Sequence, residues 1–329
     1  MNIAEKKYIF IVGVGRSGTS LLQSMLATHP DICMLPETSF LRRYAITRSV
    51  IDDALINKIL SDPNIARLKL DEKEIRDEFL CVSNRSSISF YFLLLERFCK
   101  GEKQHPIYIG DKDPRLIEYL PFVRNIFRKS HVINVVRDPR DILVSKKKAS
   151  WSSKRHPLLH IFANKVQIEL AIEFNASESE NIYHKIVYEE LLKNPKDVLK
   201  KLCHKLDISY DEIMLTSFGD SAKKLVDQSE LSWKKETFGP LLTENTNKWS
   251  GVLEEWEVAL IELSCQAAFH EGRYEISNAF HKLTWSKKTF VTLFVFTFNI
   301  LAPLYKWHRN FGITRIIRNI NNVKTQKTT

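Results

Sequence analysis

Arg16, Ser17, Thr19 and Ser20 place four side chains with hydrogen-bond donors within five positions, interleaved with Gly15 and Gly18. Such a cluster suits the holding of a phosphate-like anion, because backbone N–H groups of a glycine loop and of a following helix start have no partners of their own and the helix dipole favours negative charge there. Three readings fit the loop. Gly13, Gly15 and Gly18 satisfy the dinucleotide pattern G-x-G-x-x-G, with Glu37 near the place of a ribose-binding acid. Gly13 to Ser20 also fit the phosphate loop G-x-x-x-x-G-K-[ST], except that Thr19 replaces its lysine. The third reading is a relative of that loop built for a less charged group, with Arg16 and the hydroxyls in place of lysine and magnesium. Two further cations follow apolar runs: Lys112 after Tyr108-Ile109-Gly110-Asp111, and Arg137 after Val132-Ile133-Asn134-Val135-Val136. Strand ends are where open α/β sheets bind ligands, and a guanidinium there suits phosphate, whereas an NTPase would need an aspartate for magnesium.

The elements that must position these residues can be read around them. The β-branched run 9–12 predicts a buried parallel strand, and 19–27 a short helix stopped by His29-Pro30. Periodic apolar residues between 40 and 100 predict several helices over one edge of the sheet. Asp113-Pro114 and Asp138-Pro139 each pair an N-cap with a proline at the first helical position, and Asp141 is expected to reach back to its own cap, with Ser145 about two turns on. A helix over 156–174, a strand over 182–188, a helix after Asn194-Pro195 and a helix over 253–269 complete the series. Repeated strand-then-helix order predicts an α/β fold, a P-loop-like parallel sheet flanked by helices.

Composition narrows the function. The 329 residues, 44% of them hydrophobic, can bury one large core. A first strand within ten residues of Met1 predicts catalysis in the cytoplasm. The five cysteines are scattered and lack C-x-x-C spacing, so free, mostly buried thiols are expected rather than disulfides or zinc. Net charge is +10, but residues 276–329 carry nine Lys/Arg and no acid, leaving 40 basic against 39 acidic residues in the rest. A nucleic-acid-binding body is thereby disfavoured.

In order, these pieces resemble the sulfotransferases that use 3′-phosphoadenosine 5′-phosphosulfate (PAPS), most closely the tyrosylprotein sulfotransferase branch. The resemblance rests on Arg16–Leu22 (R-S-G-T-S-L-L), His29-Pro30-Asp31, Glu37-Thr38, Lys112-Asp113-Pro114, the set Arg137, Asp138, Arg140 and Ser145, Tyr188-Glu189-Glu190-Leu191 and Lys248-Trp249-Ser250-Gly251, spread over roughly residues 8–270. It implies a sulfotransferase fold and in-line transfer of a sulfuryl group to an acceptor hydroxyl. Arg16, Ser17, Gly18, Thr19 and Ser20 would hold the 5′-phosphosulfate, Arg137, Ser145 and Lys248 the 3′-phosphate, and Tyr188 would lie near the adenosine. Trp249, beside Lys248, is suited to covering the nucleotide. Glu37 would be the general base, Lys112 would stabilise the bridging oxygen, Arg16 would assist, and no metal is called for. Ser39 stands where the branch has an arginine, Ala149 where it has a basic residue, and Ser232 or Thr237 would supply the hydroxyl before the last motif. The acceptor is therefore left open between a protein tyrosine and a sugar, lipid-linked or small-molecule hydroxyl, and a homodimer is compatible with the chain.

Residues 1–275 are expected to form the catalytic domain and 276–329 a basic, hydrophobic helical tail. Its uncharged stretch 289–305 contains Asn299 and Pro303 and is flanked by lysines on both sides, which favours an interfacial or re-entrant anchor on an anionic membrane surface over a core-packed helix or a full span. Two other readings are a P-loop kinase or NTPase, which would have to tolerate Thr19, and a noncatalytic nucleotide-binding membrane adaptor, which would not need Glu37 or Lys112.

Overall fold

The computed structural model describes residues 6–46, 51–82, 85–178, 182–227, 230, 238–239 and 241–325, with side chains to 312. Ser232 and Thr237 lie outside the described residues. Five strands, β1 (Lys7–Gly13), β2 (Ile32–Met34), β3 (Tyr108–Lys112), β4 (Ser130–Val136) and β5 (Tyr183–Val187), form one sheet in the order β2-β3-β1-β4-β5. All neighbours are parallel. β1 is central and buried on both faces, which is why its sequence is an unbroken apolar run. Tyr8, Phe10 and Val12 join one core cluster with Phe40, Tyr91 and Phe122, and Ile9 and Ile11 join the other with Leu22, Met25 and Ile133.

Register brings the strand ends level. Ile11 pairs with Lys112, Gly13 with Val135, Val136 with Val187 and Met34 with Gly110. Glu37, Lys112, the glycine loop, Arg137 and Tyr188 therefore all emerge at the carboxyl edge of the sheet.

Six helices matter for the site and its surroundings: α1 (Thr19–Thr28), α2 (Ser87–Glu102), α3 (Pro139–Lys148), α4 (Pro157–Ser177), α5 (Glu255–Ser264) and α6 (Trp285–Thr325). The Asp138 carboxylate caps α3 by accepting from Arg140 N at 2.8 Å. Asp141 does not reach back as expected. Its carboxylate accepts from Trp249 N at 3.0 Å, and Asp138 N donates instead to Glu189 at 3.0 Å. A tertiary partner has outcompeted the local cap. The single helix expected over 253–269 is broken at Cys265, between α5 and Gln266–Gly272. All five cysteines are free, and only Cys81 is exposed.

After a short helical turn at Ala279–Lys282, the tail forms the long helix α6, which continues through Pro303. One of its sides docks on the body: Val291 and Phe298 pack with α5, and Ala302 with Val166 and Leu170 of α4. Lys306 donates to Glu169 and Glu173 at 2.9 and 2.6 Å, and Arg309 to Glu118 at 2.7 Å. Among the described residues, two of the tail's cations thus pair with carboxylates of the body. The other side exposes Leu293, Phe296, Ile300, Leu304, Trp307 and Phe311.

Candidate active site

A cavity of about 930 Å³ opens over the carboxyl edge of the sheet, lined by Gly15, Arg16, Gly18, Thr19 and Ser20 of the loop and by Glu37, Lys112, Arg137 and Tyr188. The loop is shaped by backbone geometry. Arg16 and Gly18 both have positive φ, 80° and 98°. A Cβ on Gly18 would stand 2.2 Å from the Tyr188 ring, so only glycine lets that ring lie against the loop.

Glu37 and Lys112 form an ion pair, with the Lys112 side chain 1% exposed. The parallel pairing of β2 with β3 makes this inevitable, since Glu37 lies three residues past Met34 and Lys112 two past Gly110 on the adjacent strand. Arg42 reaches the same place. It donates to Asp113 and to Ser39, both at 3.0 Å, and lines the cavity, whereas Arg43 pairs with Asp62 at 2.7 Å. A cation, Arg42, is therefore present beside Ser39. Burial pushes the Asp113 carboxyl up, against the pull of Arg42. It also pushes buried Asp111, which accepts from Tyr91 at 2.6 Å, up to about 7.

Arg137 is 7% exposed. It donates to Arg16 O at 3.2 Å and Asn245 O at 3.0 Å, and lies 4.4 Å over the Tyr188 ring. Asn245 Nδ2 in turn donates to Tyr188 Oη at 2.7 Å. Ser145 accepts from Arg16 Nε at 2.9 Å, tying α3 to the loop. The carboxylate of the α3 cap pairs with Arg140, which lies 2.7 Å from Asp138 and 2.8 Å from Glu262. Trp249 stacks on Arg140 at 3.9 Å. Ser17, Ser145, Lys248 and Trp249 are not among the residues that line the large cavity, although Ser17 and Ser145 adjoin its loop. Two polar atoms at the loop, Ser17 Oγ and Arg137 Nε, are buried without a hydrogen-bond partner. Orphaned donors at the loop fit an anionic phosphate group, because each is costly to bury unsatisfied.

The cavity wall also contains residues that sequence reasoning passed over. Lys146, 5% exposed, donates to Asn164 at 2.6 Å, and burial pushes its ammonium down to about 7, with Arg115 and Arg155 adding repulsion. Its signal in the sequence was hidden in the run Lys146-Lys147-Lys148, which reads as a solvated face.

A parallel α/β sheet with a glycine-containing loop after its central strand, and cations at neighbouring strand ends, defines an α/β protein with a site suited to an anionic ligand. Residues 8–212 match the profile described as the sulfotransferase family, and the chain belongs to that family. It is 27% identical over 257 residues to protein-tyrosine sulfotransferase 1 of Danio rerio, covering 74% of this chain and 65% of that protein. To protein-tyrosine sulfotransferase 1 of Homo sapiens it is 31% identical over 132 residues, covering 40% of this chain and 31% of the human protein. The fold agrees with two solved domains. The sulfotransferase domain of the Synechococcus PCC 7002 olefin synthase superposes with a TM-score of 0.63 at 18% identity, covering 82% of this chain and 95% of that one. The domain from the curacin biosynthetic pathway gives 0.61 at 20% identity, covering 82% and 99%.

Proposed function

We propose that the protein transfers a sulfuryl group from PAPS to an acceptor hydroxyl at the Glu37–Lys112 pair. The observation that carries this reading is that a carboxylate and a buried ammonium, adjacent at two strand ends, share one cavity with the Arg16–Ser20 cradle. PAPS, when bound, supplies an activated sulfuryl group on a phosphate leaving group. Arg16, Ser17, Thr19 and Ser20 hold the 5′-phosphosulfate, and Arg137, with Ser145 and Lys248, the 3′-phosphate. Tyr188 lies against the adenosine side of the loop. Glu37 takes the acceptor's hydroxyl proton as the new oxygen–sulfur bond forms, while Lys112 and Arg16 meet the charge on the phosphate oxygen whose bond to sulfur breaks.

The domain of 1–275 carries this chemistry, and the tail brings it to an anionic membrane surface from the cytoplasmic side. The test is direct: incubate the full chain with PAPS labelled in its sulfate and fractions of a cell lysate, in the presence of EDTA. Label should enter an alkali-resolvable acceptor, and 3′-phosphoadenosine 5′-phosphate (PAP) should bind in titration where ATP and NAD do not. Tight ATP binding that requires magnesium would favour the kinase reading instead.

A further inference from the structure

The cavity does not end at the reacting pair. Beyond Glu37 and Lys112 its wall continues through Leu159, Phe162, Ala163 and Val166 of α4 to Tyr305 of α6. Trp151 and Leu159 line it while being 51% and 62% exposed, so they lie on its rim. Arg115, Lys146, Arg155 and His160 line the same cavity as the reacting pair and this apolar arm. Among the described residues no carboxylate pairs with Lys146 or Arg155. A buried ammonium held only by an amide is costly, and a negative group placed beside it would relieve that cost.

α6 contributes to this arm and to the outer surface at once. Tyr305 faces the cavity and donates to Glu118 at 2.8 Å. On the opposite side Leu293, Phe296, Ile300, Leu304, Trp307 and Phe311 recur at intervals of three and four, making one stripe about 27 Å long at 1.5 Å per residue. A helix on the surface of a soluble protein carries a polar outer face, and this one does not. The helix meets the length and composition needed to cross a membrane, yet its inner side is fixed to the body by Lys306 and Arg309. Such a helix lies along a bilayer rather than through it. The exposed cations near its start, Lys282 and Lys287, and the complete lack of acids after residue 275 match an anionic lipid surface.

We propose that the acceptor is an anionic amphiphile drawn from that bilayer: its hydroxyl-bearing head enters past Lys146 and Arg155 to Glu37, and its hydrocarbon chain lies along Leu159, Phe162, Ala163 and Tyr305. This rests on the sulfuryl-transfer reading above. The helix that meets the membrane is then also a wall of the acceptor channel, so substrate need not leave the lipid phase.

The probe is pyrene-labelled lysophosphatidylglycerol, used below its micelle concentration with the full chain, alongside titration with PAP. The parent should bind the probe, Ala163→Trp should bind it at least tenfold more weakly by filling the arm, and Lys146→Met at least fivefold more weakly. PAP affinity should stay within twofold in both. Leu159→Glu, at an exposed rim position, serves if Ala163→Trp fails to fold and should weaken the probe in the same way. Absence of probe binding by the parent, equal affinity in the arm variant that folds, or vesicle-independent sulfation of a water-soluble tyrosyl peptide that the probe does not inhibit would each overturn the proposal. Failure of the parent to bind PAP would overturn the sulfuryl-transfer reading instead, with the probe still reporting on the arm.

Discussion

Arg137 does two jobs with one guanidinium: it ties the loop to Asn245, and it leaves Nε buried and unpartnered at the loop. Replacing it with alanine should weaken PAP by about 1.5–3 kcal/mol, the range for hydrogen bonds to a charged group. Titration on a variant whose thermal unfolding remains cooperative checks this, and unchanged affinity would remove Arg137 from the nucleotide site. Glu37→Gln keeps the shape but loses the proton affinity of the carboxylate. Turnover should fall about 10²–10⁴-fold with PAP binding near that of the parent, and a variant retaining more than about a tenth of parental turnover would point to another base. Lys146 offers a test through pH. Its pKa is about 7 in the folded chain against 10.5 as a free side chain, so below pH 7 the folded protein bears the full cost of a buried charge. Between about pH 7 and 10.5 the unfolded chain binds a proton that the native state has shed, and stability rises with pH across that window. Lys146→Met should accordingly gain most relative to the parent near pH 6, and the gain should shrink steadily toward pH 10, as read by urea unfolding at each pH.

At the level of elements, the glycine loop and α1 stand or fall together. Gly18→Ala would force a side chain into a left-handed φ of 98° and against the Tyr188 ring. The loss of stability should be about 1–3 kcal/mol, with PAP binding weakened as the ring moves away from the loop, and calorimetry of the variant measures both. The elements themselves were legible. β1, β3 and β4 could be read because both their faces are buried, and the α3 start because Asp138-Pro139 is a local signal that does not depend on distant partners. What escaped was set by distance along the chain. Asp141 looks like half of a capping box, but Trp249 lies 108 residues away and takes its carboxylate. Trp249, expected as a nucleotide cover beside Lys248, also carries the Arg140 guanidinium over its ring, a contact that no local pattern announces. Lys146 escaped for a related reason: which of three consecutive lysines turns inward is decided by α4, not by the lysines. Glu37 and Lys112 came together because β2 and β3 are neighbours, a pairing that no local pattern encodes.

For the whole molecule, the exposed apolar stripe of α6 and the acid-free tail put the proposed membrane contact to the test. The full chain should sediment with vesicles of phosphatidylcholine and phosphatidylglycerol, and less so at 0.5 M salt, where the Debye length falls to a few ångströms (about 3 Å at 1 M). Ile300→Glu, on the exposed stripe, should weaken sedimentation at least tenfold without altering thermal stability. Persistence of binding through both high salt and this substitution would mean that the helix inserts more deeply than its docked side allows. The ion pair of Glu37 with Lys112 carries a consequence for the sequence of events in a turnover. Each of the two groups is satisfied by the other, so whichever ligand engages Lys112 must first draw it from the carboxylate, and only then is Glu37 left to accept a proton. Donor should therefore load before acceptor and PAP should leave last: in steady-state inhibition experiments PAP would compete with PAPS alone and act as a noncompetitive inhibitor toward the acceptor.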